Sequence, residues 1–207
     1  MKTKQPQSIP AKILNALDTS KINYKVLSHR TVFTAFDMAS TLKRKLEHIA
    51  KALLVVAGNF PVIVLMPAHA RLNEKKIGKI IESSFGVKAK AKIPKEKVAQ
   101  SIIKDAKHPV SAFGSLYKLP VIIDKGLITN HLIVFPAASF TNSVEMMVKD
   151  FVKLEKAVVA SFAQANKIKP QKPQKKVVKK VKKITKKKVV KKVKKTVKKK
   201  AVAKKKR

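Results

Sequence analysis

The chain contains no cysteine. A disulfide framework and a thiolate nucleophile are therefore both excluded, and redox compartment cannot be read from cysteine usage. Glycine is scarce: Gly58, Gly78, Gly86, Gly114 and Gly126 are the whole complement, and they form neither a dinucleotide fingerprint nor a phosphate loop. No Gly-x-Ser-x-Gly elbow occurs, so a serine-hydrolase triad has no support. The five histidines are scattered, with none at metal-ligand spacing from another. Long hydrophobic runs are also missing, since the longest, Ala52–Ala57 and Phe60–Pro67, are far too short to cross a bilayer. The opening Met1-Lys2-Thr3-Lys4-Gln5-Pro6 lacks the apolar core and cleavage site of a signal peptide. These absences lead to the expectation of a soluble cytoplasmic protein with no membrane span, no metal and no cofactor.

Acidic residues are the last scarcity: 11 stand against 49 lysines and arginines, giving a formal net charge of +38. Residues 167–207 hold 23 of the basic residues and no acid. They repeat with a 12-residue step, Val177-Val178-Lys179-Lys180-Val181-Lys182-Lys183 returning as Val189-Val190-Lys191-Lys192-Val193-Lys194-Lys195. Such a tail is expected to be disordered when free, because like charges repel and the few valines bury too little surface to offset chain entropy. Its composition loosely resembles the lysine-rich tails of linker-histone-like and bacterial nucleoid proteins. Nucleic acid is the favoured partner, through counterion release, with Lys179, Lys180, Lys182, Lys183, Lys191, Lys192, Lys194 and Lys195 as contacts to DNA or ribosomal RNA. Nucleoid association is the corresponding extension of a cytoplasmic location. Val177, Val181, Ile184, Val189, Val193 and Val197 fall close to one helical face, so a basic amphipathic helix on nucleic acid or on anionic lipid is the alternative bound form. No acyl anchor or aromatic commits the tail to lipid.

Residues 1–166 have the length of one domain and still carry a surplus of about +15, which favours contact with a polyanion there too. Hydrophobic periodicity predicts a first helix through Ile9, Ile13, Leu14 and Leu17, a strand at Ile22–Leu27, and a helix capped by Thr34 and running through Leu42. A short helix near Leu46–Leu53 is expected to lead into a strand at Leu54–Val56, followed by a strand at Val62–Met66. Asn73 is read as the cap of a helix Glu74–Ser83, Val87–Ile93 as an edge strand, and Lys95–Lys104 as a helix. Strands at Pro120–Asp124, His131–Phe135 and Val144–Met147 precede a closing helix near Lys149–Phe162, and Pro170 and Pro173 mark a linker into the tail. Interleaved strands and helices with short turns make this a mixed α/β domain.

One residue breaks the hydrophobic pattern. Lys51 is the only polar side chain in Ile49–Ala57, so it either snorkels outward or points into a cleft where its charge acts. The stretch His29-Arg30-Thr31-Val32-Phe33-Thr34-Ala35, then His48-Ile49-Ala50-Lys51-Ala52-Leu53-Leu54-Val55, then Leu65-Met66-Pro67-Ala68 through Arg71-Leu72-Asn73 resembles the YbaK/prolyl-tRNA synthetase-associated domain. Ala112-Phe113-Gly114-Ser115-Leu116-Tyr117-Lys118-Leu119-Pro120-Val121-Ile122-Ile123-Asp124 and the closing Asp150-Phe151-Val152-Lys153-Leu154 extend the likeness, in order, over roughly residues 10–160. The resemblance implies an α/β fold with a mixed, strongly curved, barrel-like sheet flanked by helices. It further implies trans-editing, the hydrolysis of the ester of a mischarged aminoacyl-tRNA, with tRNA as partner and an aminoacyl-tRNA synthetase as a second one. Lys51 matches the lysine that the family requires, and its ammonium would engage the terminal phosphate or ribose of the acceptor end. An aminoacyl ester is labile, so orientation of the ester and water and stabilisation of the oxyanion can suffice without a protein nucleophile.

The chain departs from the family in its Gly-x-x-x-Pro loop, where His108 and Ala112 take the glycine and proline positions. It departs again in a later Ala-Gly segment, here Ala137-Ala138 followed by Ser139 and Phe140. Either amino-acid specificity has moved or catalysis has been lost. His29, His108, Ala112, Gly114, Asp124 and Ala138 are the substrate-pocket candidates; for His29 simple hydrogen bonding at a strand end, and for Asp124 turn chemistry before Gly126, are the competing readings. Arg71 is a candidate acceptor-stem contact or a solvated charge. Two functions follow: an aminoacyl-tRNA deacylase with a nucleic-acid-binding tail, or a non-catalytic protein of the same fold that binds DNA or RNA.

Overall fold

A computed structural model describes residues 9–103 and 108–164. The tail, its lysines and the linker prolines lie outside the described residues, as does the end of the helix expected to reach Lys104. The elements run α1 (Ala11–Thr19), β1 (Tyr24–Ser28), α2 (Ala35–Leu42), β2 (Ala50–Ala57), β3 (Phe60–Pro67), β4 (Arg71–Leu72), α3 (Glu74–Phe85), β5 (Ala91–Lys92) and α4 (Glu96–Ile102). They continue with β6 (Val121–Asp124), α5 (Lys125–Ile128), β7 (Leu132–Pro136), β8 (Asn142–Met147), α6 (Val148–Glu155), β9 (Val158–Ala160) and β10 (Ala163–Gln164).

The centre of the fold is the β2–β3 hairpin, eight residues paired antiparallel from Ala50↔Pro67 to Ala57↔Phe60 across the Gly58-Asn59 turn. Gly58 takes φ +60°, a left-handed conformation that glycine adopts without the Cβ penalty. β3 continues into the parallel strands β6 and β9, so one sheet has the order β5-β2-β3-β6-β9, and a second has the order β1-β8-β7. Apolar clusters cover both faces of the hairpin, which explains why β2 and β3 read as near-continuous hydrophobic runs. On one face Val55, Ala57, Val62, Val64 and Met66 pack beneath Ile77 and Ile81 of α3. On the other, Leu54, Ile63 and Leu65 meet α1, Phe113, Phe151 and the inner side of the three-stranded sheet. There Phe151 stacks on Phe135 at 4.2 Å between ring centroids, and such a pair adds about 0.5–1.5 kcal/mol beyond its buried area.

Four expectations are corrected. The sheet does not close into a barrel. Among the described residues β2 forms no ladder with β7, the two being joined only by the isolated parallel bridge Ile49↔Val134 just before β2, and β5 pairs only with Val56 and Ala57 at the far end of β2. Second, Leu46–Leu53 is not a helix: Leu46–His48 forms one 3-10 turn and the strand starts at Ala50. Leucine and alanine favour helices locally, but pairing with β3 decides the outcome, as tertiary context commonly overrides propensity. Third, the closing helix stops at Glu155, where Lys156 turns left-handed at φ 48°, and the chain then supplies β9 and β10. Fourth, the strand expected over Val87–Ile93 shrinks to Ala91–Lys92, although the alternation persists with Lys88, Lys90 and Lys92 exposed and Val87, Ala89 and Ala91 turned inward.

Candidate active site

Between the Ile49 bridge and the Val56 pairing, no described strand covers the outer edge of β2. Alternate residues of a strand direct N–H and C=O to the same side, so those not bonded to β3 present backbone donors and acceptors to this gap. A cavity of about 400 Å³ occupies it, walled by Ala50–Leu53 of β2, by Val32–Phe36 and Met38 at the start of α2, by Pro109 and Val110, and by Pro136, Ser139 and Phe140 after β7. Its surface is mostly apolar, and the lining polar side chains are Thr34, Lys51 and Ser139.

Each wall has a local cause. Thr34 and Asp37 form a capping box, Thr34 Oγ1 accepting from Asp37 N–H at 3.0 Å and Asp37 Oδ2 from Thr34 N–H at 3.1 Å, so α2 begins at the cavity mouth. The other end of α2 is held by Arg44, which donates to the buried Glu145 of β8 at 2.7 Å. Backbone bonds from His29 to Thr141 at 2.8 Å and from Val32 to Phe140 at 2.9 Å bring the 29–34 and 139–142 segments together. There Phe33, 75% exposed, leans on Phe140 at 5.3 Å between centroids. The Ser139 hydroxyl accepts from Thr141 N–H at 3.3 Å and Asn142 N–H at 3.1 Å, stabilising the turn that begins at Ala138.

Lys51 resolves its two alternatives in part. It is half-buried, and its ammonium donates to Ala70 O at 2.5 Å and, at the limit of a hydrogen bond, to Ala68 O at 3.5 Å. An ammonium carries three donors, so it retains capacity for a ligand in the cavity that it lines. Burial holds its pKa below the ordinary lysine value, and the neighbouring charge of Arg71 pushes in the same direction.

The other sequence candidates divide. Ala138 is buried at φ +53° beside Ser139, in a left-handed conformation where the family pattern has glycine. His108 directly precedes Pro109 of the cavity wall and is half-buried. Ala112 is buried, and its N–H donates to Pro136 O at 2.8 Å, a bond that the family's proline could not make. Gly114 opens a 3-10 turn away from the lining, and a Cβ on it would stand 2.4 Å from Leu119 O and 2.5 Å from Val121 Cγ2. Asp124 is a structural tie: one oxygen caps α5 through Gly126 N–H at 2.8 Å, and the other accepts from Phe162 and Ala163 N–H, each at 2.8 Å. His29 lies outside the lining, with Nε2 2.9 Å from Ser143 Oγ and Nδ1 2.9 Å from Arg30 O. Arg71 is exposed on β4. Sequence reasoning gave no pocket role to Phe33, Phe36, Met38 or Val110: the exposed Phe33 and Phe36 have no periodic signature, Met38 reads as core on α2, and only the juxtaposition of α2 with the surrounding loops reveals them. Among the described residues no group of three or more histidine, aspartate or glutamate side chains could hold a metal ion, and no helix is long and apolar enough to cross a membrane.

The family model described as an aminoacyl-tRNA editing domain matches residues 29–154. The chain belongs to that family. The match spans the cavity walls, Lys51 and the loops around them. Among solved structures, the editing domain is similar to one described as a candidate trans-editing enzyme for prolyl tRNA synthetase, with a TM-score of 0.64, 18% identity, and coverage of 76% of this chain and 99% of that one. It is also similar to a hypothetical protein, with a TM-score of 0.65, 15% identity and coverage of 74% and 99%. A third similar structure comes from work on grafting epitopes onto scaffold proteins, with a TM-score of 0.63, 17% identity and coverage of 74% and 96%. At such identities these likenesses establish the fold alone. No curated protein matches the chain.

Proposed function

We propose that the editing domain, residues 1–166, hydrolyses the ester linking a mischarged amino acid to its tRNA, and that residues 167–207 add sequence-independent grip on nucleic acid. The observation that carries this reading is the half-buried Lys51 ammonium on the wall of an apolar cavity at the uncovered edge of β2. In this reading the ammonium fixes the terminal phosphate or ribose of the acceptor end, and the apolar walls take the aminoacyl side chain. Water adds to the ester carbonyl and gives up one proton to solvent; the tetrahedral oxyanion accepts hydrogen bonds from backbone N–H groups at the strand edge; collapse breaks the bond to the ribose oxygen, which takes a proton from solvent. Free amino acid and deacylated tRNA are the products. No protein nucleophile is required, because positioning and electrostatic stabilisation act on a bond that is already labile.

His108 and Ala112, which depart from the family loop beside the cavity, favour a second reading in which the fold is kept as a non-catalytic binder of DNA or RNA. Incubating the purified full chain with a panel of mischarged tRNAs and following ester loss separates the two. Loss above the spontaneous rate on at least one substrate supports the deacylase. Spontaneous rates across the whole panel, from a protein that binds those tRNAs, overturn it in favour of the binder.

A further inference from the structure

Away from the cavity, an open groove of about 840 Å³ runs between α3 and the segment entering β5. Its rim carries Lys75 and Lys79 from α3 and Lys88, Lys90 and Lys92 from the facing segment, against two acids, Glu74 and Glu82. The two lysine sets arise from different periodicities. Lys75 and Lys79 are four apart and share a helix face, whereas Lys88, Lys90 and Lys92 alternate with inward residues along an extended segment. The floor is made of small residues: a Cβ on Gly78 would already sit 3.7 Å from Ala89 O and from the Ala91 side chain. A polyanion can therefore approach closely, with ammonium groups on both sides.

The groove is linked to the cavity by the sheet. Leu53, Val55 and Ala57 pack against the α3 side of the five-stranded sheet, and Lys51, in step with them, issues from that same side. β5 pairs with Val56 and Ala57, so the groove begins about 20 Å along β2 from Lys51, at roughly 3.3 Å per residue. Arg71, whose charge acts on Lys51, lies two residues before Asn73, the cap of α3, and the first turn of that helix supplies Glu74 and Lys75 to the groove.

We propose that the α3–β5 groove is a phosphate-backbone site, and that its occupant is the stem of the RNA whose 3′ end enters the cavity. The choice of an RNA stem rests on the deacylase reading; the phosphate site itself rests on the paired lysine rows. Such contacts position a nucleic acid without reading its sequence.

The test uses the full chain and an uncharged acceptor-stem RNA hairpin, with the acetylation rate of each lysine followed by mass spectrometry. Lys75, Lys79, Lys88, Lys90 and Lys92 are expected to be protected together, several-fold, while the exposed Lys125 and Lys149 keep their rates. In the full chain the triple variant Lys79→Gln, Lys88→Gln, Lys90→Gln is expected to flatten the slope of log affinity against log salt by about 2–3, at roughly 0.7–0.9 per phosphate, with an unchanged melting temperature. Protection confined to tail lysines, or an unchanged slope in the folded variant, overturns the groove as a binding site. Equal protection by a DNA duplex of the same length overturns the RNA assignment. The hairpin carries no ester, so this outcome is independent of whether the chain hydrolyses one.

Discussion

Replacing Lys51 with methionine separates charge from packing. Methionine keeps an unbranched apolar stem of similar reach, so the β2–β3 pairing at Lys51↔Met66 is undisturbed. What disappears is the ammonium and its bond to Ala70 O. A hydrogen bond from a charged donor contributes about 1.5–3 kcal/mol, but the half-buried ammonium also carries a desolvation cost, which is why its pKa is lowered. The two terms have opposite sign, so Lys51→Met should change folding stability by no more than about 1 kcal/mol. Its effect on the reaction should be larger, because a preorganised donor at developing charge contributes about 2.7–4 kcal/mol, or a 100- to 1000-fold change in kcat. The assay pairs initial rates of ester loss from a hydrolysed mischarged tRNA with urea denaturation of the same preparations. A variant that deacylates at the wild-type rate refutes the role of Lys51. A variant destabilised by 3 kcal/mol or more refutes the energetic argument, and makes Lys51 a structural tie to the Ala68–Ala70 loop.

Three further outcomes follow from the geometry. Because Lys51 releases its proton more readily when folded than when unfolded, the folded state binds fewer protons between the lowered pKa and the ordinary value of 10.5; stability should rise with pH across that window, and pH-dependent denaturation of Lys51→Met should lack the rise. Gly114→Ala should destabilise by about 3 kcal/mol, since its Cβ meets the backbone oxygen of Leu119 rather than a yielding side chain, whereas Gly86→Ala, at φ +72° with nothing within 4 Å, should cost only about 1 kcal/mol; equal denaturation midpoints for the two variants would contradict this. Ala138→Gly should stabilise by about 0.5–1 kcal/mol, the left-handed strain at φ +53° outweighing the entropy that glycine adds to the unfolded chain, and a lowered urea midpoint would show that the turn is unstrained.

The sequence carried the elements whose signals are local. Thr34 and Asn73 cap α2 and α3 as expected, each accepting from the N–H three residues on, because capping depends on side-chain chemistry within one turn. It failed where a distant partner decides. Ile49–Leu53 has no helical or strand period of its own, and pairing with β3 imposes the strand. β4 and β10 exist only through their mutual pairing and the Asp124 carboxylate that pins the second of them. Lys51 stood out because a lone charge in an apolar run is anomalous at any level of structure. The aromatic lip of Phe33 and Phe140 did not, since its two rings lie 107 positions apart in the chain and meet only after β1 and β8 pair. For Asp124, the competing turn reading and the structure agree on its contact with Gly126, while its second pair of bonds, to Phe162 and Ala163, spans 38 and 39 positions that no local pattern reports.

The failure of the sheet to close beside β2 also bears on how this domain can vary. A site dug into a core ties every change of specificity to a change in packing. Here Lys51, the proposed anchor, sits on the hairpin that both apolar clusters clasp, while the cavity walls outside β2 belong mainly to three loops and the first turn of α2, beside an open seam. Under the proposed function the loops can be exchanged with little effect on the hairpin, which insulates the chemistry from the recognition. Substitutions at Phe33, Val110 and Phe140 should therefore redistribute substrate preference while leaving the unfolding transition nearly where it was, and those at Leu54, Ile63 and Val64 should do the reverse.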